Sequence, residues 1–101
     1  MPQSALSAVQ ANYITARSSR LNVTVATVLK VGSGAVGKVS VLVVGSTVGT
    51  INDVATTGAA AAGNLIAPIP MALGVINLEF PFAVGLVIVP GTGQVLSVAY
   101  S

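Results

Sequence analysis

Glycine and proline cut this chain into short pieces, and their spacing constrains the fold more than any other feature. From Phe80 to Ser101 no side chain is charged, but Pro81, Gly85, Pro90, Gly91 and Gly93 punctuate the run. The uncharged stretch Val54–Leu78 is broken in the same way by Gly58, Gly63, Asn64, Pro68, Pro70, Gly74 and Asn77. A membrane-crossing helix needs about 20 mostly apolar residues without such breakers. A single-chain membrane barrel needs at least about eight strands of roughly ten residues, more chain than this one offers. The apolar segments are therefore expected to be short strands, with no membrane partner.

Between the breakers the hydrophobic period is two, the signature of half-buried strands. In RLNVTVATVLKV, Leu21, Val23, Val25, Leu29 and Val31 share one face, and Arg20, Asn22, Thr24, Ala26 and Lys30 the other. KVSVLVV places Val39, Val41 and Val43 opposite Lys38 and Ser40, and the glycine-rich GSGAVG between the two runs predicts a hairpin turn. A short strand follows around Val48–Ile51, then an irregular low-complexity loop, VATTGAAAAGN. LIAPIP reads as an extended segment outside any central ladder, because Pro68 and Pro70 cannot donate to one. VINLEF turns Ile76, Leu78 and Phe80 inward, and QVLSVAY does the same with Leu96, Val98 and Tyr100. Seven or eight strands with turns about every ten residues predict an all-β fold: a single small antiparallel β-sandwich, jelly-roll-like, over residues 13–101. Residues 1–12 read as an N-terminal arm, and MPQSALSAVQAN lacks the basic start and continuous apolar core of a secretion signal.

Composition then removes function classes. The 101 residues include four Lys and Arg, two Asp and Glu, no His and no Cys. Without His or Cys the usual general base, the thiolate nucleophile and the commonest transition-metal ligands are missing, so no enzyme activity and no cofactor are expected. Asp53 and Glu79 are the only carboxylates; the first sits in turn chemistry, INDVATTG, and the second on the polar side of its strand. Lys30 and Lys38 lie on polar faces, where neither is desolvated into a base. A net charge of +2 and four aromatic residues make a poor nucleic-acid surface. Gly32–Lys38 satisfies both G-x-G-x-x-G and G-x-x-x-x-G-K, but a phosphate loop must open a helix, and here the strand pattern of Val39–Val44 follows. Asn22-Val23-Thr24 matches a glycosylation sequon by chance.

The low charge has a second consequence. A small soluble domain ordinarily carries a charged, interspersed surface, whereas 6% of this chain is charged and 53% is hydrophobic. Large apolar surfaces mark interaction sites. The run Phe82–Val89 is apolar on both faces and must be covered twice, by a second sheet plus a loop or by another subunit. Phe80, Phe82, Val84, Leu86 and Ile88, with Pro2, Leu6 and Val9 of the arm, are the candidate interface residues.

Tyr13-Ile14-Thr15-Ala16, Asp53, Ile69-Pro70, Phe80, Phe82, Gly85-Leu86, Gly91-Thr92-Gly93 and Tyr100 form a spaced set that resembles small β-sandwich virion proteins of tailed bacteriophages. The resemblance covers most of the chain from Tyr13 onward and rests on turns and core positions. It departs at Asn52, where the family commonly has an aromatic. It implies a non-enzymatic capsid decoration, or cement, protein that is made in the host cytoplasm and resides on the virion. Its implied partners are the major capsid protein and its own copies, commonly as trimers. A head-fibre or tail-associated knob or adaptor that binds a receptor or glycan is the alternative.

Overall fold

The computed structural model describes residues Ser18–Ser101. The arm residues Pro2, Leu6 and Val9 lie outside that range. Eight strands are present: β1 (Ser18–Val23), β2 (Thr27–Val31), β3 (Gly34–Val43), β4 (Gly49–Asn52), β5 (Leu65–Ile69), β6 (Gly74–Phe82), β7 (Gly85–Val89) and β8 (Val95–Tyr100). They form two antiparallel four-stranded sheets, ordered β1-β8-β3-β6 and β2-β7-β4-β5.

The pairings are nested. β4 pairs β5, β3 pairs β6, β2 pairs β7 and β1 pairs β8. The chain is thus one long two-stranded ribbon doubled back at the β4–β5 connection. Rolling that ribbon brings β3 against β8 and β4 against β7, which gives the eight-stranded jelly-roll order. The apolar faces close on one another around Val36, Val39, Ile51, Ile69, Leu86, Ile88, Leu96 and Val98, each at most 1% exposed. β-Branched residues dominate this core because they fit a pleated, buried surface.

Several expectations change, and the strand expected over Phe82–Val89 is one: Phe82 ends β6, Ala83-Val84 turn, and β7 runs only from Gly85 to Val89. RLNVTVATVLKV is not one strand. Asn22 takes a left-handed φ of 56°, the pairing of β1 slips there, and the chain crosses to the other sheet over residues 24–26. Leu21, Val25 and Val31 consequently point outward, 69%, 69% and 70% exposed. The expected hairpin across GSGAVG is absent too: β2 and β3 belong to different sheets, and only Gly32-Ser33 turns, while Gly34–Gly37 open β3. Nested pairing places the most apolar strands, β3, β4, β7 and β8, between two neighbours each, whereas a local β2–β3 hairpin would take β2 from β7.

Proline and bulges sit at the edges. Pro68 lies in β5, an edge strand, where no second neighbour needs its missing N–H. In β6, also an edge, Glu79 adopts φ 46° and the register slips opposite Gly37. Phe80 is therefore 48% exposed rather than turned into the core, whereas Phe82 beyond it is 3% exposed.

Candidate interaction surface

The polar side chains that could serve chemistry are used to hold connections. Asp53 follows β4, and its carboxylate accepts the backbone N–H groups of Ala83 at 2.9 Å, Val84 at 2.8 Å and Gly85 at 3.2 Å, fixing the β6–β7 turn. The Ala83 N–H, with those of Val84 and Gly85, holds its pKa below the ordinary carboxylate value, against a smaller opposing effect of burial. Gly85 allows this approach: a Cβ there would lie 2.6 Å from the Val54 carbonyl oxygen and 2.8 Å from that of Lys30.

Gln94 does the same at the other end of the sandwich. Its Oε1 accepts the Gly91 N–H at 3.0 Å and its Nε2 donates to the Pro70 carbonyl at 3.1 Å. Gly91 packs so closely on the Thr47 carbonyl that no side chain fits there. Among the described residues every buried side-chain nitrogen and oxygen has a partner. The turn glycines and Asp53 that carry the sequence resemblance are therefore positions that build the fold. The phosphate-loop pattern is spent in β3, whose Val36 and Val39 are core residues.

Phe82, Leu86 and Ile88 also belong to the core and offer a partner no surface in the folded domain. β7 lies at the centre of its sheet, between β2 and β4. Leu86 and Ile88 face inward, so Val87 points to the outer side of the sheet, where it is nonetheless fully buried. Its cover is the β4–β5 connection. This loop holds two short 3-10 turns, Thr57–Ala59 and Ala62–Asn64, and the first packs against β7. Asn52, paired directly opposite Val87, anchors the loop. Its amide donates to the Ala61 carbonyl at 3.1 Å and to Asn64 Oδ1 at 2.8 Å, and its own Oδ1 accepts the Thr50 hydroxyl at 2.8 Å. Of the two covers expected for this strand, the second sheet and a loop supply both. Val84, in the β6–β7 turn, is 53% exposed, so only Phe80 and Val84 of the described candidates reach the surface.

Among the described residues, no connection covers the outer face of the β1-β8-β3-β6 sheet in this way. Its cross-strand rows follow from the register. Ser97 pairs Ser40, which pairs Val75; Ser19 pairs Ala99, which pairs Lys38, which pairs Asn77. All are outward, because the alternating residues Val39, Val98 and Leu96 are core. Leu21 and Val75 rise from the two edge strands over a floor of small residues, forming a trough of about 260 Å³ lined chiefly by Ser19, Ser40, Ser97 and Ala99. Leu42 and Leu73 continue the apolar surface beyond it, next to the paired Val41 and Gly74, and are 51% and 67% exposed. An antiparallel sheet facing water ordinarily carries polar residues there; here Lys38 is the one charge lining the trough.

Sequence reasoning missed this face. Leu42 between Val41 and Val43, and Val75 out of phase with Ile76, are apolar residues at outward positions, and that excess was its available signal. Compared with protein-family models, curated proteins and solved structures, the chain matches none.

Proposed function

We propose that this is a structural assembly protein that acts by burying the bare face of its β1-β8-β3-β6 sheet, and that it serves as a decoration protein on a phage capsid. The observation that carries the reading is the trough on that face, lined by leucine, valine, alanine and serine with a single lysine, on a jelly roll whose described buried polar side chains are already satisfied. Exposed apolar area of this kind gains roughly 25 cal/mol per Å² when a partner covers it. The resemblance in the sequence supplies the setting: the virion surface, with the major capsid protein and copies of the chain as partners, without catalysis, cofactor or nucleic acid.

The test is co-sedimentation with mature empty capsids of the phage that encodes the chain, followed by heating of the decorated shells. Saturable binding that raises the temperature of shell disruption is expected. Absence of binding to those capsids removes the decoration role.

A further inference from the structure

We infer that residues 2–13 of this chain, which precede the described range, form a helix that lies in the trough of the β1-β8-β3-β6 sheet and covers it until an assembly partner takes its place. The inference adds a regulatory step to the assembly role proposed above and rests on that reading for the partner alone. The cover itself is argued from the sequence and from the geometry of one face.

The segment has the spacing of an amphipathic helix. Pro2, Leu6, Val9 and Tyr13 follow one another at intervals of four, three and four residues, which sets them in one stripe along a helix. Ser4, Ser7 and Ala11 fall on the opposite side. Proline suits the first helical position, and Gln, Ala and Leu are strong helix formers. A helix of about 12 residues is marginal alone in water and owes its stability to packing of its apolar face. No side chain of residues 1–16 is charged, so the stripe has little to keep it in solvent.

The trough fits such a helix. Leu21 and Val75 stand on the two edge strands, three strand spacings or about 14 Å apart, and a helix is about 10 Å across. Between them the floor is Ser40, Ser97 and Ala99, small residues that let a helix approach. Twelve helical residues run about 18 Å. The six residues of β8 beneath them run about 20 Å. Lys38, the one charge lining the trough, meets no like charge in the stripe and can extend past it to water.

The tether selects this chain as the occupant. Ser18 opens β1, the edge strand that carries Leu21, and only residues 14–17 separate it from Tyr13. Five residue steps reach about 16 Å. An element packed over the middle of the floor stands about 10 Å above the sheet and about 7 Å in from β1, a span of about 12 Å, so the connection closes. Two apolar features tethered this closely meet at an effective concentration in the millimolar range, far above that of a separate copy in dilute solution.

The absence of cysteine allows a clean test in the full chain. Ser97→Cys places a single thiol on the floor of the trough. Ser46→Cys places one in the exposed β3–β4 connection, away from it. Maleimide labelling of each is followed with and without the pair Leu6→Gln and Val9→Gln, which keeps helix propensity, removes the apolar stripe and lies outside the sandwich. Labelling at position 97 is expected to be about tenfold faster once the stripe is removed, the ratio for a cover closed about nine-tenths of the time, with labelling at position 46 unchanged. Ser40→Cys, on the same floor, repeats the measurement should Ser97→Cys lower the melting temperature. Equal rates on the floor with and without the stripe overturn the cover. Protection that grows with protein concentration between about 1 µM and about 100 µM assigns it to another copy and overturns it as well. Capsid binding is scored separately. Tighter binding by the Leu6→Gln, Val9→Gln chain is expected, and unchanged affinity overturns the displacement. Failure of every form to bind capsids removes the decoration role and leaves the cover to the labelling.

Discussion

Val87 and Val75 are both valines at outward positions of antiparallel strands, yet Val87 is fully buried and Val75 is 64% exposed. The difference lies in the connections. The ribbon doubles back between β4 and β5, and the residues of that connection fold over the outer side of their own sheet, pinned by Asn52 and Asn64 from above and by Asp53 at the edge. No connection among the described residues crosses the outer face of the β1-β8-β3-β6 sheet in this way. The centre of one sheet is thus covered by its own chain at β7, whereas the described residues leave the other sheet's outer face open. Low overall charge does not identify an interface by itself; what matters is which apolar residues the described strands and connections leave uncovered.

Five substitutions, the last paired with a titration, would break or sharpen this contrast. Gly85→Ala should have the largest effect. Its Cβ would be wedged between two carbonyl oxygens of the backbone, neither of which can swing aside, and a loss of about 3 kcal/mol or more is expected in urea unfolding. Asn52→Ala removes the anchor of the covering loop, its three hydrogen bonds to Thr50, Ala61 and Asn64 together, and opens a gap where its buried side chain sat. A loss of about 2–3 kcal/mol is expected, with faster amide exchange across residues 53–64 as the signature that the loop has lifted.

Val87→Ala and Val75→Ala make the direct comparison. The first should cost about 2 kcal/mol, roughly a 10 °C drop in melting temperature for a domain of this size. The second should stay within about 0.5 kcal/mol. Equal losses would mean that both faces are covered in solution. The smallest effect is the pH response. Asp53 has its folded-state pKa below the unfolded value of about 3.9. Its contribution is fully present above about pH 4 and is lost as pH falls through the folded pKa. Stability followed downward from about pH 6 should therefore be flat at first and then fall in acid, and Asp53→Asn should flatten that fall.

Much of the fold was legible because period-two alternation and its punctuation are local. β5 and β8 stand where LIAPIP and QVLSVAY place them, and Pro68 marks an edge. β3 starts earlier than KVSVLVV, at Gly34, and the expected strand Phe82–Val89 is split: Phe82 ends β6, Ala83-Val84 turn, and β7 is Gly85–Val89. The inward set Leu96, Val98 and Tyr100 reads straight from the sequence for the same reason. Left-handed conformations at Asn22 and Glu79 were not legible, because no glycine marks them. Each shifts the phase of its strand, which is why Leu21 and Phe80 face the opposite way from a simple alternation.

The sequence by itself determined that this chain makes short antiparallel strands with an unusually apolar surface: residue type sets strand propensity and charge, and both are properties of neighbours along the chain. Only the tertiary structure decided which surface is left open. Whether a two-faced strand such as β7 needs a partner depends on where a loop about thirty residues earlier comes to rest, and that is fixed by nested pairing and by hydrogen bonds such as that from the Val84 N–H to the Asp53 carboxylate, 31 residues away in sequence. Of the run that looked most in need of a neighbour, Phe82 and Leu86–Ile88 end in the core while Val84 stays exposed in a turn, and the open face belongs to Leu21, Leu42 and Val75 instead.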